Sequence, residues 1–161
     1  MWNVITLLVI CPLFWYSDAS CPNGWMHHGN SCYHFSHDQE DWSSAVNMCH
    51  ILGGKLVEIE TAAENAFLAS MAMRFNENYW IALSDIQEEG VWVWMETKTP
   101  ISETGYSNWI AHQPDNFKQN ENCGTLNGKD DSKGRWADWH CNSNVLQYIC
   151  ENQDIVGGIV G

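Results

Sequence analysis

QPDNFKQNENCGTLNGKDDSKGRWADWHC, residues 113–141, is the stretch on which the reading of this chain turns. It carries three short groups in order: Gln113-Pro114-Asp115, Glu121-Asn122-Cys123 and Trp136-Ala137-Asp138. Together Gln113, Asp115, Glu121 and Asp138 offer hard oxygen donors, the kind calcium gathers six to eight at a time. Three carboxylates held close would repel one another without a cation. A cis bond at Pro114 would turn Gln113 and Asp115 toward one ion, and cis peptide bonds are essentially confined to proline. Upstream, residues 97–122 form a polar stretch of 26 residues with no helical or alternating pattern. Loops of that length inside a compact domain usually carry function.

Outward from this stretch, short runs rich in strand-forming residues predict strands over Tyr79–Leu83, Val91–Met95, Cys123–Leu126, Trp136–Cys141 and Gln147–Cys150. Before them the period changes to that of helices. Trp42, Ala45, Val46 and Cys49 form one stripe, which stops at Gly53 and Gly54. Thr61 and Glu64 have capping-box spacing, and Leu68, Met71, Ala72 and Phe75 repeat behind them until Asn76. Trp92, Trp94, Trp109 and Trp136 are expected in the core.

At the N-terminus the apolar run Val4–Tyr16 is too short to span a bilayer, and the small residues Ser17 and Ala19 follow it. Residues 1–19 therefore read as a signal peptide cut after Ala19, residues 20–152 as one domain, and residues 153–161 as a flexible tail. Cleavage removes Cys11 and leaves an even set of six cysteines, as suits a secreted, oxidised protein. Six cysteines allow 15 pairings, and sequence alone leaves them open. Cys21 and Cys32 stand close enough to close a hairpin, Cys49 and Cys150 would tie the ends of the domain, and Cys123 and Cys141 would clamp its late part. A zinc site lacks its C-x2-C pair.

With 20 acids against 7 Lys and Arg the formal charge is -13, so nucleic acid and anionic lipid surfaces are not expected partners, and membrane insertion is not expected either. His27, His28, His34 and His37 crowd the N-terminal segment with no carboxylate or thiol placed to complete a metal site, and read as surface histidines. An enzyme is not expected: the chain has no Ser or Cys nucleophile motif, no H-E-x-x-H and no phosphate loop.

Taken together, Cys21-Pro22-Asn23-Gly24-Trp25, Ser31-Cys32-Tyr33, Trp80-Ile81-Ala82-Leu83, the three groups above, Cys141 and Cys150 resemble a C-type lectin domain over residues 21–151. The resemblance implies an α+β fold with two helices, two small antiparallel sheets and a long calcium-binding loop region. It implies the disulfides Cys21–Cys32, Cys49–Cys150 and Cys123–Cys141, and the cis bond at Pro114. It further implies calcium held by Gln113, Asp115, Glu121 and Asp138, and a weak auxiliary calcium site at Asp85, Glu89, Asn116, Glu121 and Asn122. Asn116 and Asn122 stand there where carboxylates are common.

Gln-Pro-Asp resembles the galactose-type version of the family's motif, with mannose-like sugars as the other option. Gln113, Asp115, Glu121 and Asp138 would also bond the sugar hydroxyls, and Phe117 would pack on the sugar ring. The chain departs from the family at Ala137, where an Asn usually coordinates calcium and bonds a hydroxyl. Two functions follow as expectations. One is a secreted, calcium-dependent lectin recognising galactose-like sugars on microbial or particle surfaces, a role in innate immunity. The other is an interaction module that binds protein or mineral without sugar. Homo-oligomerisation is left open.

Overall fold

The computed structural model describes residues 21–129, 131–143 and 145–153. The expected signal peptide of residues 1–19 and the tail of residues 154–161 lie outside the described residues. Gln153, expected in the tail, instead closes the last strand opposite Ser31.

Strands β1 (Met26–His28) and β2 (Ser31–Phe35) form the hairpin closed by Cys21–Cys32. Helix α1 (Trp42–Ile51) follows, capped by Asp41, whose carboxylate accepts the Ser44 N–H at 2.8 Å. That bond holds the Asp41 carboxyl below its ordinary value. The stripe expected from spacing, Trp42, Ala45, Val46 and Cys49, is the buried face. Two indole bonds place it: Trp42 Nε1 donates to the Ile81 carbonyl at 2.9 Å, and Trp80 Nε1 donates to the Glu40 carbonyl at 2.8 Å.

After β3 (Lys55–Leu56), helix α2 (Ala62–Phe75) starts at Thr61, whose Oγ1 accepts the Glu64 N–H at 3.2 Å. Glu64 returns a bond one residue further out than a capping box requires, to the Glu60 N–H. The buried face also differs from the expected one. Asn65, Leu68, Ala69 and Ala72 are inside, while Phe75 is 39% exposed. An apolar pattern does not register Asn65, which is buried because it has polar partners. Its carbonyl accepts Trp136 Nε1 at 2.8 Å and its amide donates to the Gly134 carbonyl at 3.0 Å. Asn76 ends the helix in the left-handed conformation.

Strands β4 (Tyr79–Ser84), β5 (Val93–Trp94), β6 (Cys123–Leu126), β7 (Trp136–Trp139) and β8 (Gln147–Gln153) complete the described sheet. The order is β1-β2-β8-β4-β6-β7, with β3 on β8 and β5 on β4. The two antiparallel groups expected as separate sheets are joined where β8 runs parallel to β4, Tyr79 against Gln147 and Trp80 against Tyr148. The expected Val91–Met95 strand shrinks to two residues. Trp136–Cys141 stops at Trp139.

Residues 97–122 are not wholly irregular, as expected from their polarity. They contain the single-turn helix α3 (Ile101–Thr104) and a 3-10 turn at Phe117–Gln119. Four residues are too few for periodicity to register. All three implied disulfides are formed, with Cα separations of 5.3 to 5.5 Å.

The core lies between the helices and the sheet. Trp80, Trp94 and Trp136 are fully buried, Trp92 is buried and Trp109 is partly so. Trp136 stands at the centre of a T-shaped aromatic cluster with Trp94, Tyr106 and Trp109 at centroid distances of 5.7, 5.6 and 5.9 Å. Because Trp136 opens β7, this packing also fixes where Ala137 and Asp138 point. Glu58 anchors the start of the long loop. It is 2% exposed, accepts the N–H groups of Glu96 and Thr97 at 2.9 and 3.1 Å, and pairs with Lys55 at 2.8 Å.

Candidate functional site

The long loop returns to the sheet at residues 112–121. The Gln113–Pro114 bond is cis, and His112, Asn116, Lys118 and Gln119 have φ between 46° and 71°. Left-handed backbone at residues other than glycine persists only where its surroundings over-determine it. Here the surroundings are the end of β7 and Glu121.

Asp138 accepts two loop amides, Asp115 N–H to Oδ1 at 3.2 Å and Asn116 N–H to Oδ2 at 2.7 Å. Glu121 Oε2 accepts the Phe117 N–H at 3.1 Å, and the Glu121 N–H donates to Asn116 Oδ1 at 3.1 Å. Gln113 Oε1 accepts the Asp138 N–H at 3.2 Å. Each contact joins the loop to β7 or to the residues before β6. Oxygens of Asp115, Glu121 and Asp138 thereby come within 4.8 Å of one another.

Asp138 is 3% exposed and Glu121 9%, whereas Asp115 is exposed. Burial, chiefly, pushes the carboxyls of Glu121 and Asp138 above their ordinary values, and the neighbouring carboxylates push the same way. A cation supplies what such a set lacks. Lys118 does not fill this role in the described geometry: its Nζ lies over the Phe117 ring, 5.2 Å from the centroid. Every donor is a hard oxygen, and each carboxylate oxygen has two lone pairs, so one bond apiece leaves room for coordination. The residues present therefore fit calcium.

These side chains open on a cavity of about 280 Å³ whose apolar walls are Phe117, Ala137 and Trp139. Phe117 is 56% exposed. A larger cavity of about 340 Å³ lies between Trp42, Ile86, Asn120 and Asn142. Among the described residues its lining has no charged side chain, whereas the smaller one is lined by the carboxylates of Asp115, Glu121 and Asp138.

The auxiliary set is not brought together as the other is. Among the described residues, the acidic group that could hold a metal includes only its Glu121. Glu89 is exposed, and Asn116 spends its carbonyl on the Glu121 N–H. Two of its oxygens, Asp85 Oδ1 and Asn122 Oδ1, are buried without a hydrogen bond. Their segments are tied together by the Asp85 N–H, which donates to the Asn122 carbonyl at 3.3 Å. Asp85 Oδ2 accepts the Gly90 N–H at 2.8 Å, and burial raises the Asp85 carboxyl.

Two residues at the site carried no motif: Trp139, which walls the cavity, and His140, whose Nδ1 lies 3.1 Å from Glu121 Oε1. Only a known register, with Cys123 opposite Trp139, brings them there. The N-terminal histidines lie elsewhere. His28 stacks on Phe67 at 4.0 Å, and His34 is 5.5 Å from Trp25. Among the described residues no helix is long and apolar enough to cross a membrane.

Residues 38–152 match the family model described as Lectin C-type domain. The perlucin-like protein of Mytilus galloprovincialis is 34% identical over 135 residues, which cover 82% of this chain and 83% of that protein. The low affinity immunoglobulin epsilon Fc receptor of Mus musculus is also 34% identical, over 131 residues. There the match covers 81% of this chain but 37% of that longer protein. Among solved structures, the mouse scavenger receptor C-type lectin carbohydrate-recognition domain superposes with a TM-score of 0.74. That match has 30% identity and covers 83% of this chain and 98% of the other. The disulfides, the loop conformation and these matches agree, and the chain belongs to the C-type lectin domain family.

Proposed function

We propose that this chain is a secreted, calcium-dependent carbohydrate-binding lectin for galactose-like terminal sugars on microbial or particle surfaces. In this reading residues 1–19 are an export signal and residues 20–152 the binding domain. The observation that carries it is the convergence of Asp115, Glu121 and Asp138 oxygens within 4.8 Å beside a cavity walled by Phe117 and Trp139. Calcium, when bound, accepts two neighbouring sugar hydroxyls as ligands. Gln113, Asp115, Glu121 and Asp138 hold the cation and orient those hydroxyls by hydrogen bonds. Phe117 and Trp139 offer aromatic surface to the apolar side of a sugar ring.

Affinity of about 1 mM, common in extracellular modules, gives about 1.4 kcal/mol of stabilisation at about 10 mM calcium. Melting should rise by a few degrees between chelator and calcium. A glycan surface should retain the protein with calcium and release it with chelator. An unchanged melting temperature would remove the metal reading.

A second reading, an interaction module that binds protein without sugar, is favoured by Ala137, whose methyl group has neither a ligand oxygen nor a donor. One relative's name is that of a receptor for an immunoglobulin Fc, a protein ligand. Calcium-dependent stabilisation with no retained glycan would select this reading.

A further inference from the structure

We propose that His140 is a positioning residue for the cation ligand Glu121 and sets the affinity of the site through it. The inference rests on the calcium reading of Asp115, Glu121 and Asp138. His140 Nδ1 lies 3.1 Å from Glu121 Oε1, with the two side chains 20% and 11% exposed. At that distance an imidazole nitrogen bearing its proton can donate to a carboxylate oxygen.

The covalent framework dictates the approach. Glu121 stands two residues before Cys123 and His140 one before Cys141. The Cys123–Cys141 disulfide ties those two positions, while β6 and β7 pair with Cys123 opposite Trp139. Glu121 is consequently gripped from two sides. Oε1 faces His140 from beyond the end of β7, and Oε2 accepts the Phe117 N–H from the loop turn. Each contact engages at most one lone pair and leaves another on the same oxygen for a cation.

Asp138 has both oxygens held by backbone amides, which no side-chain substitution removes. Glu121 depends on a side chain for one of its two. Without His140 its carboxylate is tethered at Oε2 alone, and calcium must order it on binding. Partners that orient metal ligands in this way typically contribute ten- to hundredfold in affinity.

The test compares wild type, His140→Ala and His140→Asn in the full chain, following melting temperature at one fixed pH against calcium from about 0.1 to about 100 mM. Asn places Nδ2 where the imidazole has Nδ1 and keeps the donor. His140→Ala should need about tenfold or more calcium for the same rise in melting temperature, His140→Asn should stay within about threefold of wild type, and all three should melt together in chelator. A wild-type calcium requirement in His140→Ala overturns the proposal, whether or not its melting temperature in chelator has fallen. Asn behaving like Ala overturns it too, because the donor then does not matter. A wild type blind to calcium defeats the calcium reading and this inference together, whereas calcium-responsive wild type with unaltered His140→Ala defeats this inference alone.

Discussion

At position 137 the chain presents a methyl group, 9% exposed, to the cavity whose other members are oxygen donors and aromatic rings. The backbone there is already spoken for, since the Ala137 carbonyl accepts Thr125 Oγ1 at 3.1 Å and the strand pairs Thr125 opposite Ala137. Ala137→Asn thus adds an amide to the cavity while leaving those contacts alone. One added hydrogen bond is worth about 0.5–1.5 kcal/mol, so monosaccharide affinity should rise about two- to tenfold, read by titration in calcium. Asp138→Ala is the control, expected to abolish calcium and sugar binding together. If Ala137→Asn tightens calcium and neither form retains a glycan, the sugar reading gives way to the protein-binding one.

Helix α2 and strand β7 meet through Asn65, whose two bonds to Trp136 Nε1 and the Gly134 carbonyl make a polar rivet in an apolar interface. Asn65→Leu keeps the volume and strands the indole N–H. The expected cost is about 1–3 kcal/mol, measured by urea unfolding, and a change within error would show that the packing alone holds the helix. This element also shows what sequence can and cannot carry. Thr61 and Asn76 bound α2 correctly because caps and left-handed stops are chemical properties of single residues. Its buried face departs from the apolar pattern at Phe75 and Asn65, since burial depends on partners far along the chain. The same division holds elsewhere: α1 follows from four residues at helical spacing, whereas β3, two residues long, carries no pattern of its own, and the strand expected at Val91–Met95 keeps only the two residues of β5. At the site the acids were legible as ligand types. Trp139 and His140 reach it through register and a disulfide, which no local pattern encodes.

Across the whole molecule, burial chiefly holds the carboxyls of Asp85, Glu121, Asp138 and Glu151 above their ordinary values. Glu151 lies far from Asp115, Glu121 and Asp138 in the strand order, 3.8 Å from Lys55 Nζ, and accepts Ser31 Oγ at 3.0 Å. Lys55 pulls its carboxyl down, but burial prevails. A carboxyl raised in the fold contributes stability that is fully present below its unfolded value and is lost as pH rises through its folded one. In chelator, Glu151→Gln should therefore melt with a shallower decline than wild type as pH rises from about 4.5 toward neutrality. Parallel curves would show that Glu151 titrates alike in both states. The sheet order carries a last consequence. Strand β8 sits between β2 and β4, and also receives β3, yet it comes last of the described strands along the chain. Three earlier strands therefore leave the ribosome with the slot between them vacant. Cys49 precedes its partner Cys150 by 101 residues, roughly 5–20 s of synthesis at about 5–20 residues per second. During that interval the thiol of Cys49 is open to a premature partner, so a nascent chain held before β8 emerges is the form an oxidoreductase or chaperone would have to shield.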